Sequence, residues 1–396
     1  MQNPVTVTTT DGLDSRGLFT TVEESPEALE RHVAAWDVLA RHAAEPNPFY
    51  ESYALLAAWR HLRPEGLRVV CVWSPNVLPG KSPHLAGVFP IVRRDRYKGM
   101  PLPVYSTWHH LYTYSSTPLL RAEAAPEVLA AFFAWLRDTD AALFELPGVT
   151  SDGAFRHALI DTLNELGLRA FHDAVHTRAF FRAGASTEQY LDRAMSGKKR
   201  KELRRQERRL GETGTLAYEE LLPDGNLATW LDEFLALEAL GWKGREGTAL
   251  QQDGPAISLF RAYAEGAFAR KRWMALAMRL DGRAIAMKCN LLAGDGAVAF
   301  KIAYDESFAR FSPGVLLEIE HLRRLHEQPG APLWMDSGAA ADHPMIGHLW
   351  RDKIAIEKLV IPAGKRRGEL AVAALPLVRW TSHAVKATWH LLRRRT

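Results

Sequence analysis

The chain is poor in cysteine and has no long apolar run. Its two cysteines, Cys71 and Cys289, each lie in an apolar, strand-like stretch, so neither a disulfide framework nor a cysteine metal site is available. The pairs His109-His110 and Asp342-His343 lack a third metal ligand at a supporting spacing. No window reaches the roughly 18 uncharged apolar residues of a membrane span, and no signal peptide begins the chain. These absences predict a cytoplasmic protein that uses no metal.

A large net charge is also lacking, but the charges present are unevenly distributed. The net charge is +4, whereas residues 363–396 alone hold eight Lys or Arg and one acid, which leaves the remainder slightly acidic. Within that acidic remainder, residues 197–209 carry eight basic side chains and two acids. The sequence therefore contains two basic segments, one internal and one at the tail.

The length and composition predict two globular domains. A chain of 396 residues with 47% hydrophobic residues exceeds the size at which a single core stops growing. Residues 1–25 are polar and show no periodicity, which indicates a flexible lead-in. The remaining boundaries are predicted at 26–175 for an N-terminal lobe, 176–362 for a C-terminal lobe and 363–396 for a basic amphipathic tail.

Apolar periodicity predicts the same order of elements, helices followed by antiparallel strands, in both halves. The first half is predicted to have helices near 29–39, 50–62, 128–136 and 155–166 and strands at 67–73, 85–92 and 142–146. The second half is predicted to have helices near 198–212, 227–240, 255–270, from 313 and near 345–350, and strands at 273–280, 283–292, 298–304, 333–336 and 355–361. Two of its turns, Asp281-Gly282 and Gly294-Asp295-Gly296, are typical of a hairpin meander. An α+β fold with an internal duplication follows.

The helix after this meander has a well-marked start. Ser312 is a good N-cap, and Pro313 suits the first helical position. We expect the backbone N–H groups of Gly314, Val315 and Leu316 to point out of this start beside the positive end of the helix dipole, where a pyrophosphate could bind. Taken alone, Ser-Pro-Gly favours a plain helix start, and the preceding meander shifts the balance toward the anion site.

Several motifs occur together in an order that resembles the CelD-type, FemAB-like branch of the GNAT acyltransferase superfamily. They are Ala303-Tyr304-Asp305-Glu306, Phe311-Ser312-Pro313-Gly314-Val315-Leu316-Leu317, the basic helix from Ser196-Gly197-Lys198-Lys199-Arg200 to Leu210, and Gly241-Trp242-Lys243-Gly244. The resemblance covers roughly residues 28–362. It implies two GNAT-like lobes, each a mixed, mostly antiparallel sheet flanked by helices. The second lobe would hold acyl-CoA between splayed strands, with its pyrophosphate at Ser312, Gly314, Val315 and Leu316, and the first would be a degenerate copy.

Acyl transfer from a thioester to an amine requires a base for the amine and an acid for the leaving thiolate. Tyr304 is the candidate acid, and Asp336 or Glu238 is the candidate base, although a capping or ion-pair role fits each of them as well. Trp242 and Lys243 follow the helix that ends at Gly241 and are the acceptor-binding candidates. A helix C-cap with a packed Trp explains that pair equally.

The internal basic segment places Lys198 and Lys199 in the first turn of a helix, where the dipole disfavours cations. An anionic partner would relieve this conflict: the CoA 3′-phosphate, an anionic sugar or lipid, or tRNA by analogy with aminoacyl-transferring FemAB relatives. A solvated basic helix is the alternative. In the tail, residues 377–395 form an apolar stripe bordered by cations, which fits either an anionic membrane surface or docking onto the chain's own domain.

The resulting functional prediction is an N-acyltransferase that moves an acetyl or other acyl group from acyl-CoA to an amine of a sugar, amino acid or peptide-like molecule. One alternative keeps the enzyme class and takes aminoacyl-tRNA as donor. Another is a non-catalytic module in polysaccharide or envelope assembly. The predicted location is the cytoplasm, with peripheral contact at the inner membrane face if the tail binds lipid.

Overall fold

The structure is a computed structural model that describes residues 17–75, 83–184, 186–241, 250–341, 343 and 345–377. The chain divides into two compact units, and neither of them is continuous in sequence. The first comprises residues 1–47, 65–175 and 356–396, and the second comprises residues 48–64 and 176–355. The predicted lobes were continuous in sequence. The structure instead places residues 48–64 in the second unit and residues 356–362 in the first. None of the described helices is long and apolar enough to cross a membrane.

The first unit contains a six-stranded sheet in the order β1-β2-β3-β4-β6-β13, with the short β5 beside β3. Its strands are β1 (Phe19–Glu23), β2 (Leu67–Ser74), β3 (His84–Arg94), β4 (Val104–Thr107), β5 (Leu119–Leu120), β6 (Leu143–Thr150) and β13 (Asp352–Pro362). Its helices are α1 (Pro26–Glu30), α2 (Val33–Arg41), α4 (Ala125–Asp138) and α5 (Ala154–Glu165). Strand pairs are antiparallel except β4 with β6. Apolar side chains of this sheet and of α4 and α5 form its main core.

The second unit repeats this strand order, β8-β9-β10-β11-β12-β7. Its strands are β7 (Phe171–Arg182), β8 (Leu216–Glu220), β9 (Trp273–Leu280), β10 (Arg283–Ala293), β11 (Gly296–Tyr304) and β12 (Trp334–Asp336). Its helices are α3 (Ser52–Leu62), α6 (Thr187–Ala194), α7 (Gly197–Gly211), α8 (Leu227–Leu240), α9 (Gly254–Ala269), α10 (Pro313–Glu327) and α11 (Ile346–Leu349). As in the first unit, only one strand pair, β11 with β12, is parallel. The predicted α+β class with two similar, mostly antiparallel sheets flanked by helices is confirmed.

Two sequence expectations are wrong. Residues 19–23 were assigned to the lead-in, but they form β1, which pairs with β2 from Phe19↔Trp73 to Glu23↔Val69. The strand was missed because its buried partner lies about 50 positions away and its own alternation is short. The helix predicted at 50–62 was placed in the first lobe, but α3 packs in the second unit against α9, where Gly266 allows the close approach of Tyr53.

Two apolar clusters of the second unit enclose α10 and position its first turn. One cluster includes Leu322 and Leu325 of α10 with Trp350, and the other includes Leu316 and Leu317. Both cysteines, predicted to be buried, are free thiols in strand interiors. Residues 366–377 are helical, Leu377 is exposed, and the rest of the predicted tail stripe lies outside the described residues.

Candidate active site

Strands β11 and β12 pair at one end and then separate. Their parallel pairing extends only over Gly296–Val298 with Trp334–Asp336. β11 continues for six residues to Tyr304, roughly 20 Å at the usual rise of a strand. Opposite Cys289 and Asn290 the register shifts by one residue, so β11 also carries a bulge. The edge of β11 beyond Val298 is therefore open, which matches the splayed pair that the family resemblance implies.

A cavity of about 700 Å³ lies at this open edge. Its walls come from the end of α8, the end of β11, the first turn of α10 and the segment before α11. The lining residues are Leu237, Glu238, Gly241, Ile302, Ala303, Tyr304, Ala309, Ser312, Pro313, Gly314, Val315, His343 and Met345. Most of them are apolar, and Glu238 is the one carboxylate among them. The described lining contains no Lys or Arg.

Ser312 precedes α10 as predicted, but it does not cap the helix with its side chain. Its backbone is left-handed (φ 54°, ψ 51°), and its hydroxyl makes no capping hydrogen bond. An N-cap side chain normally reaches its N–H partner from an extended backbone, and the left-handed backbone directs the Ser312 side chain elsewhere. Ser312 instead contributes to the cavity lining. The N-cap prediction is therefore wrong in mechanism although correct in position.

Two of the three backbone N–H groups that were predicted to point out of the start of α10 donate hydrogen bonds within the helix start itself. Val315 N–H and Leu316 N–H both donate to the Ser312 carbonyl, at 3.0 Å each. The Leu316 bond is the first turn of the helix closing on itself, and Leu316 packs into the apolar cluster below. Pro313 has no N–H. Of this first turn, the Gly314 N–H is thus the group left without a partner in the described part of the chain.

Gly314 lies in the cavity wall close to Tyr304 and Met345. A Cβ at this position would lie 3.4 Å from Tyr304 Cδ1, 3.7 Å from Met345 Sδ and 3.9 Å from Ile302 Cδ1. The absent side chain therefore leaves the peptide N–H open to a ligand between Tyr304 and Met345. This N–H, at the positive end of a 15-residue helix, can bind an anion.

Glu238 and Tyr304 line the same cavity. Glu238 lies in the last turn of α8, is 3% exposed, and accepts a hydrogen bond from the Leu250 N–H at 3.0 Å through Oε2. Tyr304 is the last residue of β11 and is half-buried. A carboxylate and a phenol are side-chain types that can serve as general base and general acid, so the predicted pair of Glu238 and Tyr304 lies in one cavity.

Asp336, the other predicted base, is not among the lining residues. It forms the last residue pair of the β11–β12 ladder, Val298↔Asp336, where its carboxylate forms an ion pair with Arg178 and accepts the Gly338 N–H at 3.0 Å. Arg178 is 5% exposed and Asp336 is 8% exposed. The geometry assigns Asp336 a structural ion pair and leaves its catalytic role a prediction.

The remaining predicted site residues lie elsewhere. Lys198 and Lys199 are exposed in the first turn of α7 and do not line the cavity. Trp242 and Lys243 lie outside the described residues. Sequence reasoning considered His343 only as a metal ligand, yet it lines the cavity, and its Nδ1 accepts the N–H groups of Met345 and Ile346 at 3.3 Å each. Among the residues that the structure describes, no group of His, Cys, Asp and Glu could hold a metal ion.

Comparison with known proteins bears on the fold of this part of the chain. Residues 197–343 match the family model described as acetyltransferase (GNAT) domain. This part of the chain is GNAT-like. FemX has 11% identity and a TM-score of 0.51, over 83% of this chain and 95% of its own. A Bacteroides thetaiotaomicron protein of unknown function has 15% identity and a TM-score of 0.49, over 83% and 97% of the two chains.

A tandem GNAT protein from the clavulanic acid biosynthesis pathway is also similar, with 13% identity and a TM-score of 0.41, over 88% of this chain and 99% of that one. No curated protein matches the chain. At identities this low, the similarity to FemX shows the fold. The chain therefore has a GNAT-type acyltransferase fold, and residues 197–343 contain the cavity and both of its candidate catalytic groups.

Proposed function

We propose that this protein is an N-acyltransferase that moves an acyl group, most simply acetyl, from acyl-CoA to an amine of a small molecule, sugar or peptide-like acceptor. The observation that carries the proposal is the cavity at the open edge of β11, which joins Gly314 at a helix start to Glu238 and Tyr304. We place the chain in the CelD-type, FemAB-like branch as part of the same proposal, because the motifs 303–306 and 311–317 quoted above contribute residues to this cavity.

In this proposal the donor phosphates bind at Gly314, and the thioester arm lies along the open edge of β11. Glu238 takes a proton from the acceptor ammonium, and the amine nitrogen then attacks the thioester carbonyl carbon. The C–S bond breaks, and Tyr304 gives its proton to the departing sulfur. The nitrogen loses its second proton as it becomes the amide, which restores Tyr304, and Glu238 releases the first proton to water. The products are the acylated amine and free CoA. An ammonium acceptor also suits a cavity whose described lining has one carboxylate and no Lys or Arg.

Calorimetric titration of the full chain with acetyl-CoA tests the donor. We expect binding by the wild type and its loss in Gly314→Glu, because the new carboxylate would occupy the anion site. Gly211→Glu is the matched control, since nothing lies within 4 Å of a Cβ at Gly211. A folded wild type that releases no heat with acetyl-CoA contradicts the proposed donor. Equal affinity in Gly314→Glu contradicts its placement.

The exposed cations of α7 support a second candidate function, transfer from aminoacyl-tRNA. Lys198, Lys199 and Lys201 are exposed near the start of α7 and have no ion-pair partner among the described residues. Arg204 and Arg209 share this property. A polyanionic donor would neutralise such a surface. Titration with tRNA beside acetyl-CoA separates the two donors, and a chain that binds neither favours a non-catalytic role.

A further inference from the structure

The core of the second unit contains a buried network of charged and polar side chains that the proposed chemistry does not use. Lys288 of β10 lies 2.5 Å, Nζ to Oε2, from Glu318 and 2.6 Å, Nζ to Nδ1, from His321. Both partners belong to α10. Trp350 donates its Nε1–H to the other Glu318 oxygen at 3.0 Å. All four side chains are at most 2% exposed.

This network lies directly beneath the cavity. Gly314, Glu318 and His321 follow one another at intervals of four and three residues, so they lie on one face of α10, and Glu318 is roughly 6 Å along the axis from Gly314. Lys288 is the cross-strand neighbour of Ile302, which lines the cavity beside Gly314. The network therefore begins one helical turn below the proposed phosphate site.

The network connects three walls of the cavity. Lys288 belongs to the sheet that carries Ile302, and Glu318 belongs to the helix that carries Gly314. Trp350 ends the short helix α11, which follows the lining residue Met345. Glu318 thus joins the sheet wall to the α11 wall, with one carboxylate oxygen used on each side.

The distances favour one arrangement of these groups. Nδ1 of His321 lies 2.6 Å from the Lys288 ammonium and 3.4 Å from Glu318 Oε1, so it accepts from Lys288, and the neutral ring carries its proton on Nε2. Nδ2 of the buried Asn290 lies 3.5 Å from Nε2, and a flip of this amide would bring its oxygen, which has no partner among the described residues, toward the Nε2–H. A rotation or shift of α10 would leave a buried ammonium and carboxylate unpaired, which is far more costly than an apolar repacking.

We propose that Glu318, with Lys288 and Trp350, positions the first turn of α10 and the Met345 wall for donor binding. This inference rests on the proposed function, and it adds positioning residues that lie outside the cavity. A buried ion pair can usually be replaced by apolar groups without loss of stability. The network's contribution is therefore to hold the three walls in one geometry.

The test is the double variant Lys288→Met/Glu318→Gln, which removes both charges at similar volume and keeps an acceptor for Trp350. We expect a folded protein with a melting temperature within a few degrees of wild type. Amide hydrogen exchange in peptides covering 312–318 and 345–350 should be roughly tenfold faster, and acetyl-CoA affinity roughly tenfold weaker. The matched control is Glu320→Gln/Arg324→Met, which removes charges of the same helix away from this network. It breaks the ion pairs Glu320–Arg324 at 2.9 Å, Glu320–Arg323 at 2.6 Å and Arg324–Glu220 at 3.0 Å.

Hydrogen exchange tests the positioning role of Glu318, and acetyl-CoA affinity tests the proposed function. Unchanged exchange in both peptides overturns the positioning role, whether or not acetyl-CoA binds. Faster exchange in a protein whose wild type ignores acetyl-CoA supports the positioning role and overturns the proposed donor. Equal acceleration in the control pair overturns the inference, because general loosening of α10 would explain it. Trp350→Phe provides a milder variant if the double variant does not fold, and faster exchange confined to 345–350 is its expected result.

Discussion

Tyr304 and Gly314 face each other so closely that a methyl group on residue 314 would lie 3.4 Å from the Tyr304 ring. Gly314→Ala should therefore affect stability and binding in opposite directions. Alanine inside a helix is favoured over glycine by about 0.5–1 kcal/mol, and the contact with Tyr304 can be relieved by a small ring movement. We expect equal or higher stability in urea unfolding and roughly tenfold weaker acetyl-CoA binding in calorimetry.

Reduced stability together with unchanged affinity in this variant would show that the glycine is required for packing alone. Gly347→Ala serves as its control, because a Cβ at Gly347 would meet nothing within 4 Å.

Glu238 and Asp336 were both candidates for the base. Their environments predict that replacing each by its amide, Gln or Asn, will have a different effect on activity and stability. Glu238→Gln should lower kcat about 100-fold or more, because a positioned general base contributes at least that much. Asp336→Asn should instead cost about 3–5 kcal/mol of stability, since it leaves the buried Arg178 without its charge partner. Steady-state kinetics and urea unfolding of both variants distinguish the two roles. A large kcat loss in a stable Asp336→Asn protein would restore Asp336 as the base.

Two substitutions of Ser312 test whether its hydroxyl caps α10 and whether its left-handed backbone is strained. A side-chain cap would make Ser312→Ala cost about 1 kcal/mol, whereas the observed hydroxyl makes no capping bond, so we expect a change within a few tenths. Ser312→Gly should stabilise the protein by up to about 1 kcal/mol, because glycine adopts a φ of 54° without strain. Thermal unfolding of the two variants measures this difference. A loss near 1 kcal/mol in the alanine variant would mean that the hydroxyl caps the helix in solution.

The exposed start of α7 predicts a salt-dependent interaction. Replacing Lys198, Lys199 and Lys201 by Gln should weaken binding of the anionic partner, and the slope of log affinity against log salt should become shallower by roughly two to three. Titrations with acetyl-CoA and with tRNA at several ionic strengths identify that partner. If both isotherms stay unchanged, α7 is a solvated basic helix. Stability should change little, since exposed charges contribute less than about 1 kcal/mol each.

Local patterns were enough to predict most elements of the second unit. The spacing of apolar residues and the Asp281-Gly282 turn predicted β9 with the bounds that the structure has, and α8 likewise. The start of α10 beside a meander also identified the cavity wall at Gly314. These features depend on residues that are close in sequence, so the chain shows them directly.

Features that depend on distant partners could not be predicted. β1 exists because it pairs with β2, and α3 belongs to the second unit because it packs against α9. The role of Asp336 depends on Arg178, more than 150 positions earlier. The left-handed backbone of Ser312 and the network around Glu318 likewise arise from tertiary packing, which no local pattern reports.

The buried His321 makes stability depend on pH in the acid range. Burial, and then the charge of Lys288, lower the pKa of His321 from 6.5 to about 4. Burial alone would raise the pKa of Glu318, but the charge of Lys288 and the neighbouring His321 outweigh it and lower that pKa to about 2. Glu220 also acts on His321 and favours its protonation. Both folded-state pKa values are therefore below those of the unfolded chain.

The unfolded chain therefore binds more protons than the folded chain in this range. The free energy of unfolding should fall as the pH drops from about 6.5 to about 4. The His321 contribution to this loss is roughly 3 kcal/mol. Urea unfolding between pH 7 and pH 4 measures it, with His321→Gln as the comparison because its side chain does not titrate. The variant should show a distinctly flatter profile over that window. Identical slopes for the two proteins would mean that His321 binds its proton as readily in the fold as in the unfolded chain, which contradicts a ring that accepts from the Lys288 ammonium.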